Sequence, residues 1–403
     1  MFRGGGNIRS LKCLKNNHSM SFKRRMKLFG LCVLFSSLLW ITGCWDMQNL
    51  EDIDLVNAIG MDYVDGQFVA YGQMVDFSAV SRQEGPKSTD PAIVWVGIGK
   101  GKTVNLAITD LYRTAQKRVV WAHVSSMILS ERMINHGLMT MNDAHLRYRE
   151  LRVTPWIYGT RESIEQLFTV QPFFNLSHLA TLIHEPIGTY RQHSWVQPIR
   201  LLYLLSDLLE PGKTVVLPSL SIDKEQWKRN QEPDPKLEID GAFIIHDNRY
   251  NGWLNDEKLR GIRWLSNRTR RSPIVVKDED RAKATVSLEN PSFEIESRLS
   301  GQNPTFSLHV KLKGNIVELH GEMSMQKLEQ LTEAAVEKEI RFTYNEGLAI
   351  GSDLYQLENE LYKQHYSSWQ ELTHSQPLAL NPSSLGDIKV HLEITSTGMR
   401  KME

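Results

Sequence analysis

Cysteine is scarce in this chain: three among 403 residues, at Cys13, Cys32 and Cys44. Two of them fall in a basic, then apolar, leader, so a chain processed before Cys44 keeps only that one thiol. An exported protein of this size with one cysteine has no disulfide framework, and its stability rests on core packing. Long apolar runs are missing too. The marked one, Leu28 to Ile41, has 14 residues, whereas a spanning helix needs about 20. Acidic residues are absent from positions 1–43, which hold eight Lys or Arg; removing those eight from 47 leaves 39 basic and 47 acidic residues over the remaining 360, a net of −8. A mildly acidic body argues against nucleic-acid binding and against electrostatic docking on anionic lipid.

The chemistry of the usual motifs is missing as well. There is no H-E-x-x-H; His184-Glu185 has no second histidine at ligand spacing, and His123, His145 and His246 stand alone. No serine sits in G-x-S-x-G. Two stretches imitate a phosphate loop. Gly101-Lys102-Thr103 has Val96 where the first glycine belongs, and Gly212-Lys213-Thr214 has Asp207 there. A loop that wraps a phosphate in backbone amides needs its full length, so the first reads as a glycine-rich turn before a helix. Neither catalytic residues nor a metal or cofactor is expected.

What is present begins with the leader. Lys23, Arg24, Arg25 and Lys27 precede the apolar run, which closes on Ile41-Thr42-Gly43-Cys44. Positive flank, short apolar core and small residues before a cysteine are the pattern of a lipoprotein signal. Ile41, Thr42 and Gly43 would be read by the signal peptidase, and Cys44 would carry diacylglyceryl and N-acyl groups. Several acyl chains give stable anchoring where one gives only marginal binding. An uncleaved signal anchor and an ordinary secretory signal with a chance cysteine are the alternatives. Met20 and Met26 both sit where such a leader would start. Trp45 suits either the headgroup region or packing against the body.

Periodicity gives an α+β chain of two to three domains, with mixed and antiparallel sheets and segregated helices. After the signal, 1–43, the reading is an N-terminal domain 44–222, a polar linker 223–236 with Pro233 and Pro235, and a C-terminal region 237–403, divisible at about 285. Hairpins are expected at Asp65-Gly66 and Asp247-Asn248. A short buried strand is expected over Ile93–Ile98, helices over 103–115, 132–149 and 195–209, period-two strands over 273–320, a long helical region from Ser324 to about Leu372, and a last strand over Ile388–Ile394. Trp95, Trp121 and Trp156 are expected in the core, with Trp253 and Trp264 clamping a helix start to the neighbouring hairpin.

These residues, taken in order, resemble a known family. Cys44-Trp45-Asp46, Leu50-Glu51 and Ile59-Gly60-Met61-Asp62 resemble the mature start of Ger(x)C spore-germination lipoproteins. Gly101-Lys102-Thr103 and the helix after it resemble that family's first helix. Gly241-Ala242-Phe243, Gly252-Trp253-Leu254, Arg260-Gly261 and Trp264-Leu265 resemble the opening of its C-terminal region, and Leu354 to Trp369 its end. The resemblance implies a non-enzymatic C subunit of a nutrient germinant receptor, of three α+β domains, held by lipid on the outer face of the spore inner membrane. Its implied partners are two multi-spanning subunits, of A and B type. The competing readings are a solute-binding lipoprotein of a transporter and a cell-envelope hydrolase.

Overall fold

A computed structural model describes residues 26–27, 29–30, 33, 52–75, 93–138, 152–300, 303–374 and 378–397. The chain divides into two compact units, Met1–Ile53 and Asp54–Glu403. In the first, Met26, Lys27, Phe29, Gly30 and Val33 are helical and exposed. Among the described residues no helix is long and apolar enough to cross a membrane.

The second unit opens on a ten-stranded mixed sheet. Its strands are β1 (Ile53–Val64), β2 (Gln67–Val75), β3 (Val94–Gly101), β4 (Arg118–Val120), β5 (Ser126–Ser130), β6 (Trp156–Thr160), β7 (Ile199–Arg200), β8 (Thr214–Asp223), β11 (Lys236–His246) and β12 (Arg249–Asn255). The order is β12-β11-β8-β6-β5-β1-β2-β3, with β4 on β1 and β7 on β6. The middle pairs β1/β5, β5/β6 and β6/β8 are parallel, and antiparallel hairpins extend both flanks. Central parallel strands are buried on both faces, which explains the unbroken apolar runs. Met127 and Leu129 face one core with Ile157, Leu204 and Phe243, while Ile128 and Tyr158 face another with Ile164 and Phe168. The helices covering these faces are α1 (Val104–Asp110), α2 (Glu131–His136), α3 (Ile164–Thr169) and α5 (Leu201–Leu209), with α4 (Pro186–Gln192) lying between α3 and α5 in the chain.

Residues 223–236, expected as a linker, carry the small exposed pair β9 (Lys228–Arg229) and β10 (Glu232–Pro233) between strands that pair directly from Asp223 and Lys236 onward. Residues 237–255 thus complete the first sheet. The change of core falls after Asn255, and Leu259 and Trp264 lie in different apolar clusters.

The second sheet runs β13 (Ser272–Asp278), β14 (Arg281–Ser300), β15 (Asn303–Leu319), β16 (Leu385–Ser396). Only the last pair is parallel. One face is clean period-two apolar (Val286, Leu288, Leu308, Val310) and packs on α6 (Met325–Ala349). That helix starts at Ser324, whose Oγ accepts from Lys327 N at 3.3 Å, and buries Leu328, Thr332, Val336, Ile340 and Tyr344 along one stripe. It stops at Gly351, φ +67°, where the left-handed conformation favours glycine. The expected long helical region therefore splits into α6, α7 (Leu357–Gln364) and α8 (Tyr366–Thr373).

Four expectations are corrected. β3 is the last strand of the sheet order, so Trp95 is 52% exposed rather than core. The helix expected from Trp195 begins only at Leu201, because Pro198 withholds a donor and constrains the residue before it. The helix expected over 132–149 is broken at Gly137, φ +123°; Leu138 beyond it is helical again, and 139–151 lie outside the described residues. Trp253 packs on the first core and Trp264 on the second, so they do not jointly clamp a helix start to the hairpin. Trp121 is 1% exposed, as expected of a core residue, and donates from Nε1 to Tyr112 Oη at 2.6 Å.

Candidate functional site

The residues singled out for chemistry, Cys44 with Ile41, Thr42 and Gly43, lie outside the described residues, as do Trp45 and His145. Asp46, Leu50 and Glu51 lie outside them too; two of the motifs that are described have clear structural duties. In Ile59-Gly60-Met61-Asp62 the two apolar residues enter the first core. A Cβ on Gly60 would sit 2.4 Å from Ile164 Cγ2. Asp62 accepts from Arg132 through both carboxylate oxygens, from Ser130 and from Tyr63 N. Burial pushes its pKa up, but these donors outweigh burial and hold it below the ordinary carboxylate value. The phosphate-loop mimic is a helix start. Thr103 Oγ1 caps α1 by accepting from Leu106 N at 3.2 Å, and Gly101 lets the strand approach within 2.5 Å (Cβ position) of Ala107 N.

One contact has the form of a nucleophile and base. Ser125 Oγ lies 2.5 Å from His184 Nδ1, and His184 Nε2 lies 3.0 Å from Gln73 Oε1. Gln73 donates onward to Phe168 O at 2.8 Å. Burial drives the His184 pKa down to about 4, so the ring is neutral at pH 7. Gln73 cannot stabilise an imidazolium as a carboxylate would. The chain Ser125–His184–Gln73 ties the start of β5, β2 and the 178–184 segment together and reads as a buried structural relay. Among the described residues no group of three or more His, Cys, Asp or Glu is placed to hold a metal.

A dense polar network lies where the two cores meet. Arg263, 2% exposed, donates from Nη2 to both oxygens of Glu339 (3.1 and 2.9 Å) and from Nη1 to Ser272 Oγ (2.9 Å). Trp264 Nε1 donates to the same Glu339 at 2.7 Å. The Arg263 guanidinium stands 4.5 Å from the Trp195 ring and 4.4 Å from the Trp264 ring. Gly261 permits this: a Cβ there would lie 2.5 Å from Glu339 O. Beyond it, Asn359 Nδ2 donates to Pro211 O (2.8 Å) and Asn251 Nδ2 to Gly351 O (3.1 Å). Asp353, buried, accepts from Tyr355 N and Glu358 N. Its burial raises its pKa to about 6. Between these contacts is a cleft of ≈ 380 Å³, walled by β8 and the end of α5 on one side and by β14 and α7 on the other. Sequence reasoning found Arg260-Gly261 and Trp264 as a motif but missed Glu339, Trp195 and Asp353. Glu339 and Trp195 meet Arg263 from dozens of residues away, and no local pattern marks any of the three.

Residues 46–222 match the family described as spore germination protein N-terminal domain, and residues 240–398 match the one described as spore germination B3/GerAC like, C-terminal. The chain belongs to the GerC-type family of spore germination proteins. Spore germination protein KC of Bacillus subtilis (strain 168) is 22% identical over 391 residues, 91% of this chain and 95% of that relative. Spore germination protein A3 of the same organism is 25% identical over 60% of this chain and 61% of its own. The crystal structure of the GerBC protein superposes with a TM-score of 0.49 and 16% identity, over 84% of this chain and 96% of that chain. The GerC-type family is the one the residues of the sequence resemble. The gap between its two matched regions falls on the β8–β11 connection.

Proposed function

We propose that this chain is the lipid-anchored C subunit of a nutrient germinant receptor, acting without catalysis beside two multi-spanning subunits of A and B type. The observation that carries it is the match of both consecutive family regions, in order, over 46–222 and 240–398. The start of the first match lies two residues after Cys44, where the leader pattern places processing. On this reading Cys44 carries the acyl chains, Ile41-Thr42-Gly43 guide cleavage, and the α+β body stands on the outer face of the spore inner membrane. A helper role rather than an enzymatic one is supported by the Ser125–His184 pair, whose histidine is buried, weakly basic and backed by an amide.

Deletion of the gene together with its paralogues tests the role: spores should lose germination with at least one class of nutrient while keeping their response to nutrient-independent triggers. Unchanged nutrient germination in that strain would refute it. The anchor has its own test. Cys44→Ala should abolish labelling by a radioactive fatty acid and release the protein from membrane fractions, and continued membrane retention would refute the anchor.

A further inference from the structure

Among the described residues nothing pairs with the outer side of β3, the last strand of the ten-stranded sheet. A strand edge offers unpaired backbone groups to other chains, and proteins commonly blunt it with charge, proline or a bulge. The second sheet is guarded in this way. Along its edge strand β16, Glu333 accepts from Leu392 N at 2.9 Å and Glu329 from Ile394 N at 3.3 Å. β3 has no such guard over Val94-Trp95-Val96-Gly97-Ile98, which holds no charge and no proline and pairs with β2 without a register shift. Residues that face away from β2 alternate with those bonded to it. Lys100 marks the outward set, because its amide donates to Asp110 Oδ2 at 3.0 Å. Val94, Val96 and Ile98 share its parity, and no described residue caps their outward amides and carbonyls. Ile93, Trp95 and Ile98 leave large apolar side chains exposed along the same edge.

We infer that two copies of this chain pair antiparallel through β3, about a two-fold axis at Val96. The open groups set the register. With Val96 opposite Val96 of the partner subunit, Val94 meets the partner's Ile98 and Ile98 the partner's Val94. The outward residues then exchange about six hydrogen bonds. The same register sets large side chains against small ones on the α1 face. Trp95 lies opposite Gly97 of the partner subunit, and Ile93 opposite the partner's Gly99. Helix α1 leaves those two positions little room for side chains of their own, since a Cβ would lie 3.2 Å from Leu111 Cδ2 at Gly97 and 2.3 Å from Ala107 O at Gly99. Trp95 and Ile93 of one copy thus pack beside α1 of the other, where Leu106 is 55% exposed. Charge does not oppose the pairing. The two Lys100 Cα positions stand about 27 Å apart along the strands, beyond a Debye length of about 8–10 Å. An axis at Gly97 would instead need the Lys100 amide, which Asp110 already holds. The inference stands on β3 alone and not on the germination reading.

The test is disulfide trapping in the full chain with Cys13, Cys32 and Cys44 replaced by serine, so that each introduced thiol is the only one. Val96→Cys should crosslink to its own copy under mild oxidation by copper phenanthroline. Opposed Cα atoms lie about 5.5 Å apart there, inside the disulfide range of about 4.4–6.8 Å. Val94→Cys and Ile98→Cys should each stay uncrosslinked alone, the two copies of either position being about 14 Å apart along the strands, yet crosslink when the two variants are mixed. Ile98→Lys installs the missing guard at a position that is 45% exposed and so tolerates charge. It should raise the dimer dissociation constant at least tenfold by sedimentation equilibrium while leaving the circular dichroism spectrum unchanged. No crosslink at Val96→Cys, self-crosslinking of Val94→Cys to the same extent, or undiminished dimerisation of folded Ile98→Lys would each overturn the inference.

Discussion

Replacing Glu339 by alanine removes the one acceptor shared by Arg263 and Trp264 at the junction of the cores. Three donor contacts go with it, at 3.1, 2.9 and 2.7 Å. The guanidinium left behind is 2% exposed and cannot recover its loss from water. Breaking a buried pair in this way costs about 3–5 kcal/mol. Arg263 keeps its bond to Ser272 at 2.9 Å and its two indole neighbours, so the lower end, about 3 kcal/mol, is expected. That is a large part of a typical total of about 5–15 kcal/mol. Arg263→Met should cost less, about 1–2 kcal/mol. It leaves a Glu339 side chain that is 20% exposed and still bonded to Trp264, and it fills most of the vacated space with an apolar chain. Urea unfolding of the two single variants and the double variant gives the test. The coupling between the sites should exceed about 1 kcal/mol, with the slope against urea unchanged. A loss below about 1 kcal/mol for Glu339→Ala, or a larger loss for Arg263→Met than for Glu339→Ala, would refute the account of the junction.

Three other outcomes follow from the structure. Asp353 holds its proton more tightly when folded, its pKa being raised by burial from 3.8 to about 6, so unfolding between those values releases a proton. This residue's contribution therefore falls as pH rises from about 4 to 6, by about 3 kcal/mol. Asp353→Asn should remove that slope, and identical pH profiles for variant and parent would contradict it. Trp121→Ala should cost about 3–5 kcal/mol, because that ring is 1% exposed. Trp95→Ala, at 52% exposure, should stay within about 1 kcal/mol, and denaturation midpoints in the reverse order would sink the edge assignment of β3. Gly261→Ala should destabilise by about 1–3 kcal/mol, since its Cβ would lie 2.4 Å from Tyr355 Oη and 2.5 Å from Glu339 O; an unchanged melting temperature would show that α6 can retreat.

Short-range rules could be read from the residues directly. Asp65-Gly66 and Asp247-Asn248 made their hairpins because left-handed turn residues stood between apolar runs. Thr103 and Ser324 began their helices, and the alternation over 273–320 became a sheet with one face on α6. The family too was legible, since it lay in short ordered motifs. Tertiary structure alone decided which strands were edges, which is why Trp95 and Trp121 read alike in sequence and differ in burial. It alone decided that 237–255 complete the first sheet, because pairing across Asp223 and Lys236 depends on register and not on the polar stretch between them. It also brought Arg263 to Glu339. Those groups are far apart along the chain, and their burial and charge balance exist only once the two cores meet.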